Sequence, residues 1–401
     1  MTHSIDHLDQ AAADAAPSLE VSVVMPCLNE ADTLAACVGK ALKALEDAGI
    51  DGEVIVADNG STDGSQAIAS GMGARVVPVA AKGYGNALMG GIAAARGRYI
   101  IMGDADDSYD FREIPKFVAK LREGYDLVQG CRLPSGGGRV AEGAMPFLHR
   151  WLGNPMFSHL ARRWFRSPIH DIYCGLRGFT RDLYRRLDQR CTGMEFAIEN
   201  VLKASLAGSR IAEVPITLHP DGRKAHAPHL RTFRDGWRTL RFFLLYSPSR
   251  LFLAPGLLLV LAGLAGYALA LPGVTIHQVT FDAHTLLFSS VAILCGHQAL
   301  LFGVFAKTFA ANEGLLPEDR RLARLLGAVN LEVGLIGGVV AILVGLACLG
   351  VAVDQWRLAG FGRLDYARTM RWVIPGSTLT AVGFQTMLGS FLVGVLSLQR
   401  R

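Results

Sequence analysis

Four strand-forming residues lead directly into two aspartates in Tyr99-Ile100-Ile101-Met102-Gly103-Asp104-Ala105-Asp106. Similar apolar runs occur at residues 20–25, 53–57, 75–79 and 126–129, and helical patterns separate most of them. Strands that alternate with helices imply right-handed crossovers and a mainly parallel sheet. The sequence therefore predicts an α/β fold of Rossmann-like type for the first half of the chain.

Polar clusters follow three of these predicted strands. They begin at Pro26, Asp58 and Asp104, each close to the point where an apolar run stops. In a parallel sheet, ligands bind beyond the carboxyl ends of the strands. Three polar clusters at one edge of the sheet therefore predict a ligand-binding site there.

Asp104 and Asp106 are the strongest candidates for a metal site. Two carboxylates two residues apart on a loop can converge on one divalent cation, which also binds the phosphates of a nucleotide diphosphate. Oxygen ligands of this kind suit Mg²⁺ or Mn²⁺. Asp107 and Asp110 crowd the same stretch, and neighbouring carboxylates repel one another unless positive charge offsets them. An acidic turn is common by itself, so the assignment depends on the surrounding motifs.

The second part of the 401-residue chain differs sharply in composition. Long apolar runs dominate from Leu251 on, and 51% of the whole chain is hydrophobic. A helix needs about 20 residues to cross a hydrocarbon core of about 30 Å. Four segments meet this length, at about residues 251–271, 286–306, 331–353 and 373–398.

These patterns divide the chain into regions. We expect a disordered tail at residues 1–18, an α/β domain at 19–228 and a membrane domain of four helices at 251–401. Residues 229–250 combine arginines with large aromatic side chains, which is typical of an amphipathic helix at a membrane surface. Because this segment directly precedes an apolar span, membrane binding is favoured over nucleic-acid binding.

The N-terminal 18 residues have neither the basic start nor the apolar core of a signal peptide. We therefore expect a multi-pass protein of the inner or plasma membrane with its α/β domain in the cytoplasm. Charge leaves the orientation open, because the basic loop at 354–372 falls on the outer side of a four-span arrangement. The seven cysteines show no spacing typical of a disulfide framework or a zinc site.

An ordered set of motifs covers roughly residues 20–245. It consists of Val23–Glu30, Val56–Asp63, Lys82–Ala87 and the triplet Asp104-Ala105-Asp106, on one α/β scaffold. Together these motifs resemble the inverting GT-A fold glycosyltransferases of family 2. The resemblance is closest to the dolichyl- and polyprenyl-phosphate sugar synthases, the dolichol-phosphate mannose synthase group.

The resemblance implies a role for each residue at the donor site. The residues implied to hold the nucleotide-sugar are Pro26, Leu28, Glu30, Asp58, Lys82 and Asp104, and those implied to hold the metal, Mg²⁺ or Mn²⁺, are Asp104 and Asp106. Two positions depart from the family pattern. Asn59 stands where a second aspartate is common, and Asp107-Ser108 replaces Leu-Gln, which leaves a third metal ligand open.

The family pattern also implies an acceptor site, in which Arg132, Arg150 and Arg223 hold the phosphate of a lipid. A guanidinium group matches phosphate oxygens bidentately, so the residue type is apt. Asp106, Arg132 and Asp171 are the implied catalytic group, with Asp171 orienting the acceptor. Glu195 either serves the same site or caps a helix.

The leading hypothesis is transfer of a hexose, with inversion, from a GDP- or UDP-sugar to a polyprenyl phosphate such as undecaprenyl or dolichyl phosphate. One alternative is a processive polysaccharide synthase, although neither Arg163-Trp164 nor Arg371-Trp372 has a glutamine three residues before its arginine. A sugar-lipid transporter with a regulatory α/β domain is another. The sequence leaves open the sugar, the nucleotide and whether the chain forms a homo-oligomer.

Overall fold

A computed structural model of the chain describes residues 18–223, 232–313 and 331–397. For residues 232–235 it describes the backbone alone. Parts of the sequence expectations lie outside these residues: the tail up to residue 17, residues 224–231 at the end of the α/β domain and the start of the 229–250 segment, residues 314–330 of the membrane domain, and the chain beyond residue 397. The described chain forms two units, one that ends at Phe243 and one that begins at Leu244.

The first unit contains a seven-stranded sheet in the order β3-β2-β1-β4-β7-β5-β8. Its strands are β1 (Leu19–Cys27), β2 (Gly52–Asp58), β3 (Arg75–Pro78), β4 (Gly97–Met102), β5 (Leu127–Cys131), β7 (Arg177–Thr180) and β8 (Ile211–Pro215). Neighbouring strands are parallel, except that β7 runs antiparallel to both β4 and β5. A short pair, β6 (Arg139–Val140) with β9 (Thr217–Leu218), lies outside this sheet. The predicted α/β fold with a mainly parallel sheet is confirmed, and β7 and β8 are the strands of this sheet that the sequence patterns did not predict.

Helices connect the strands. They are α1 (Leu34–Asp47), α2 (Ser65–Gly71), α3 (Tyr84–Ala94), α4 (Ile114–Arg122), α5 (Asn154–Phe165), α6 (Arg181–Leu187), α7 (Glu195–Leu206) and α8 (Thr232–Leu245). Helix α1 buries Leu34, Val38, Ala41 and Leu45, a spacing that places apolar residues on one helical face. Residues 21–25 of β1 are all fully buried, as expected for a central strand of a sheet that is covered on both faces.

Strand register brings the predicted polar clusters to one edge of the sheet. Cys27 pairs with Asp58, and Val24 of the same strand pairs with Met102. The loops that follow β1 and β2 are joined by hydrogen bonds, since the backbone N–H of Asn29 donates to Oγ of Ser61 at 2.9 Å. The carboxyl ends of β1, β2 and β4 therefore form a continuous edge.

The second unit is helical. Its elements are a π-helical turn (Ser249–Leu253), α9 (Ala254–Ala270), α10 (Ala283–Asn312), α11 (Leu331–Leu358), α12 (Tyr366–Leu396) and a two-residue hairpin of β10 (Thr275–Ile276) with β11 (Val279–Thr280). Within the described residues, four helices, the first counted from Ser249, have the length and apolar composition needed to cross a membrane, so the chain is a membrane protein. Helix α12 continues through Pro375, which spanning helices tolerate because neighbouring groups satisfy the freed backbone.

Glycines allow α11 and α12 to pack closely. A Cβ built on Gly338 lies 2.8 Å from the carbonyl oxygen of Gly383, and one built on Gly345 lies 2.7 Å from that of Gly376. Small residues at such positions are typical of membrane helix pairs, where packing replaces the hydrophobic effect as the driving force. These backbones are in contact at two levels along the pair.

We predict that Gly338→Val destabilises the protein in detergent by about 1–3 kcal/mol, because the added side chain overpacks the contact. Gly337→Val is the matched control, since a Cβ at Gly337 has nothing within 4 Å. The thermal unfolding midpoint of each variant is the measurement. Equal midpoints for the two variants would contradict the packing described above.

Candidate active site

Asn59 joins the end of β2 to the loop that carries Lys82. Its Nδ2 donates to the carbonyl oxygens of Val79 at 2.9 Å and Ala81 at 2.7 Å, and its Oδ1 accepts from the N–H of Gly83 at 2.8 Å. A carboxylate cannot donate either of the first two bonds. The amide therefore explains why asparagine stands where an aspartate is common in the resembled family. Nζ of Lys82 donates back to the carbonyl oxygen of Asn59, at the edge where the lysine was predicted.

Asp58 is the last residue of β2 and Glu30 lies on the loop after β1, and both are largely buried. Asp58 accepts from the N–H groups of Gly60 and Ser61 and from Nε2 of Gln66 at 2.6 Å. The backbone N–H of Glu30 donates to Oγ of Ser65 at 3.1 Å. These bonds tie the β1 and β2 loops together at the predicted nucleotide site, where Pro26 is partly exposed and Leu28 is exposed.

Asp104 is held from two sides. Its Oδ1 accepts from the hydroxyl of Tyr84 at 2.8 Å. Its Oδ2 lies 2.6 Å from the position that a Cβ on Gly175 would take, and the ring of Tyr109 would lie 3.0 Å from that Cβ. A side chain at Gly175 would therefore push the Asp104 carboxylate away, and glycine is required for this close approach.

Asp106 accepts from the backbone N–H of Ser108 at 3.0 Å and from its hydroxyl at 2.6 Å, both through Oδ1. Its Oδ2 accepts from Arg223 at 2.9 Å. Asp107 pairs instead with Lys40, at 2.6 Å. The Asp107-Ser108 departure thus has a physical account, because Ser108 orients Asp106 and Asp107 contacts a helix α1 lysine.

Cationic side chains neutralise three of the four aspartates in this stretch: Lys40 pairs with Asp107, Arg112 with Asp110 and Arg223 with Asp106. Asp104 differs. Burial, together with the charge of Asp106, raises the pKa of the Asp104 carboxyl to about 6. Additional positive charge at this carboxylate would stabilise its ionised form.

The donor set at Asp104 and Asp106 fits a magnesium or manganese ion. Within the described ranges, no group of three or more His, Cys, Asp or Glu side chains is placed to hold a metal. Magnesium ions, however, are commonly held by one or two carboxylates together with substrate phosphates and water. A cation bound there would also stabilise the ionised form of the Asp104 carboxyl, whose pKa is raised by burial and by the charge of Asp106.

Arg223 lies at the predicted donor site. Its guanidinium contacts Glu30 at 3.2 Å, Asp106 at 2.9 Å and Asp221 at 2.6 Å. Asp221, which the sequence did not single out as a site residue, also accepts a hydrogen bond from the backbone N–H of Arg223. Arg223 was predicted to hold the acceptor phosphate, whereas its contacts here are with one residue assigned to the nucleotide-sugar and one assigned to the metal.

Arg132 and Asp171 form a buried, bidentate ion pair. Nε and Nη2 of the arginine lie 2.7 and 2.8 Å from the two carboxylate oxygens, and its backbone N–H adds a third bond of 3.0 Å. Tyr109 connects this pair to the Gly175 backbone beside Asp104, because its hydroxyl lies 3.3 Å from Nη1 of Arg132 and accepts from the N–H of Gly175 at 2.8 Å. The charge of Arg132 reaches the Asp104 carboxyl, where it partly offsets the rise in the pKa of that group.

Arg150 lies on a π-helical turn, His149–Gly153. Its guanidinium carbon is 5.3 Å from the ring centroid of Trp151, within the range of a cation–π contact. The three arginines predicted to bind the acceptor thus have different partners: a buried carboxylate for Arg132, an indole ring for Arg150 and three carboxylates for Arg223.

A cavity opens beside Asp104. Its lining includes Tyr84, Asp104, Tyr173, Glu195, Arg238 and Thr239. Sequence reasoning assigned no site role to the tyrosines, although Tyr84 falls inside the quoted Lys82–Ala87 motif. Arg238 was visible in the sequence as one of the basic residues of the 229–250 segment, where it was interpreted as a membrane contact.

This sheet, its aspartate-bearing edge and the four apolar helices define a membrane protein with a GT-A-like fold. The chain belongs to glycosyl transferase family 2, whose family model matches residues 22–188. A second model, the glycosyltransferase family 2 C-terminal transmembrane region, matches residues 304–397. The chain is accordingly a family 2 glycosyltransferase.

Two relatives from Haloferax volcanii show the extent of the similarity. The low-salt glycan biosynthesis hexosyltransferase Agl6 is 38% identical over 98% of this chain and 93% of its own length. A dolichyl-phosphate hexose transferase is 34% identical over 54% of this chain and 89% of its own. Among solved structures, glucosyl-3-phosphoglycerate synthase from Mycobacterium tuberculosis, in complex with Mn²⁺, UDP and glucosyl-3-phosphoglycerate, gives a TM-score of 0.43 at 23% identity, over 60% of this chain and 82% of that one.

We predict that Asn59→Asp lowers the free energy of unfolding by about 1–3 kcal/mol, because a carboxylate then faces two carbonyl oxygens without a donor. Asn86→Asp is the control, since its amide donates one bond, to the carbonyl oxygen of Lys82. Thermal unfolding midpoints measure the difference. A midpoint for Asn59→Asp as high as that of Asn86→Asp would refute this account of the asparagine.

We further predict that Arg223→Gln binds Mn²⁺ more tightly in the absence of donor, by about threefold or more, because a competing cation is removed from Asp106. Isothermal calorimetry measures the dissociation constant. Arg112→Gln serves as the control, because it removes a cation that pairs with Asp110. Unchanged or weaker Mn²⁺ binding by Arg223→Gln would show that the guanidinium does not compete with the ion.

Proposed function

We propose that this glycosyltransferase transfers a hexose from a GDP- or UDP-sugar to a polyprenyl phosphate at the cytoplasmic face of the membrane. The observation that carries the proposal is Asp104, which lines a cavity and is followed two residues later by Asp106, in a chain whose described residues include four helices able to cross a membrane. The two Haloferax relatives, a hexosyltransferase and a dolichyl-phosphate hexose transferase, support a hexose and a lipid phosphate.

The donor occupies the carboxyl edge of the sheet in this proposal. Pro26, Leu28, Glu30 and Asp58 contact the base and ribose, and Lys82 lies beside the phosphates. Asp104 and Asp106 would hold Mg²⁺ or Mn²⁺, which would supply positive charge to stabilise the departing diphosphate. The hydrogen bonds from Tyr84 and Ser108 keep the two carboxylates in place, so the site is organised before the donor arrives.

The acceptor needs positioning more than deprotonation. The second pKa of a phosphate monoester is about 6, so it is largely anionic at neutral pH. Its oxygen attacks the anomeric carbon opposite the diphosphate, which inverts the configuration, and the rate gain comes from approximation and electrostatics. Asp171, bound bidentately to Arg132, contributes by fixing that arginine.

The proposal is tested by incubating the purified protein with radiolabelled GDP-mannose, UDP-glucose or other donors, together with Mn²⁺ and polyprenyl phosphate. We expect label in the organic extract only when the lipid phosphate is present. Asp106→Asn should reduce this label by about 100-fold or more, because charge stabilisation on the diphosphate is lost. Asp107→Asn, whose carboxylate pairs with Lys40, should stay within about threefold of wild type.

The product decides between the alternatives. Label that appears only in a long, water-soluble polymer would overturn the proposal in favour of a processive synthase. Donor binding without transfer to any lipid or sugar would instead support the transporter hypothesis.

A further inference from the structure

Arg238 is the cationic side chain in the lining of the cavity beside Asp104, a lining that also includes Glu195. We propose that this arginine binds the phosphate of the lipid acceptor. The inference deepens the proposed function and rests on it, because it assigns the acceptor to a residue outside the three arginines that the family pattern implies. It also gives helix α8 a second role besides the membrane contact expected from its sequence.

The pairing of Arg238 is weak. Its Nε lies 3.5 Å from Oε1 of Glu195, and 42% of its side chain is exposed. Hydrogen bonds between N–H and O are normally about 2.7–3.2 Å long, and exposed ion pairs contribute about 0–1 kcal/mol. An incoming phosphate can therefore recruit this guanidinium at little cost, and its planar fork suits two phosphate oxygens.

Arg132 and Arg223 are different in this respect. Arg132 is nearly buried and pairs with Asp171 at 2.7 Å, and Arg223 pairs with Asp106 at 2.9 Å and with Asp221 at 2.6 Å. Breaking a buried pair leaves an uncompensated carboxylate, which is strongly destabilising. The two residues can add positive potential, whereas direct coordination of the acceptor is more favourable for Arg238.

The position of Arg238 is fixed by the packing of α8 within the first unit. Thr239, the next residue, accepts a hydrogen bond of 2.7 Å from the hydroxyl of Tyr173. Phe243, one turn further on, is fully buried and packs edge-on against Phe157 and Phe165. The backbone of Arg238 is thus held by a packed helix, so this part of the cavity wall is in place before a ligand binds.

Chain connectivity makes a lipid the natural source of the phosphate. Helix α8 ends at Leu245, and the first membrane-spanning helix begins at Ser249. An acceptor whose hydrocarbon chain stays in the bilayer must present its headgroup to residues near that boundary. Arg238 lies eleven residues before Ser249 in the chain and lines the same cavity as Asp104.

The test compares Arg238→Gln, Arg238→Lys, Arg241→Gln and Arg185→Gln, with farnesyl phosphate as a short acceptor in detergent. We expect Arg238→Gln to raise the KM for farnesyl phosphate by about tenfold or more, with the KM for the sugar donor and the unfolding midpoint unchanged. Arg238→Lys should restore part of the loss. Arg185, an exposed residue on α6, is the neutral control.

Two results would overturn the inference. The first is an unchanged KM for farnesyl phosphate in Arg238→Gln. The second is an equal rise in Arg241→Gln, which would mean that α8 acts through its overall charge. Calorimetric binding of farnesyl phosphate separates this test from the proposed function: if wild type transfers no sugar yet binds the phosphate, loss of binding in Arg238→Gln still supports the inference. No binding by wild type would overturn it.

Discussion

Concentrated negative charge at one sheet edge is the constraint on which the site depends. Four aspartates fall within residues 104–110, and carboxylates so close together disfavour one another's ionised forms. The fold supplies counter-charges from separate parts of the chain: Lys40 from helix α1, Arg112 from the adjoining turn and Arg223 from beyond β9. These segments are therefore joined to the edge by charge as well as by apolar packing.

Much of the fold follows from the sequence because its strands are short apolar runs whose period is unambiguous. Strand β7 could not be found in that way. It has four residues, and it begins with Arg177, a fully buried cation whose guanidinium donates to the carbonyl oxygens of Cys174 and Ala197. A buried arginine whose Nη atoms donate to backbone carbonyls has no signature in local composition. The continuous helix through Pro375 is similar, since tertiary context outweighs a local helix breaker.

The candidate site likewise combines residues that the sequence could predict with contacts that it could not. Asp104, Asp106 and the loops before them were predictable, because residue type and position after a strand already indicate their chemistry. The partners of those residues were not, since Arg223 lies 117 residues from Asp106 and Arg132 lies 39 from Asp171. Pairings of this kind exist only in the folded chain. They determine which arginine can bind a phosphate without breaking a strong ion pair.

The bridge made by Asn59 also bears on the chemical durability of the protein. An asparagine followed by glycine, as in Asn59-Gly60, is prone to deamidation through attack of the glycine nitrogen on the side-chain amide. Here the amide holds three hydrogen bonds, and the N–H of Gly60 donates to Asp58 at 3.0 Å. The side-chain amide of Asn59 and the nitrogen of Gly60, which must meet for ring closure, are both restrained. The hydrogen bonds that shape the loop therefore also slow the deamidation of Asn59.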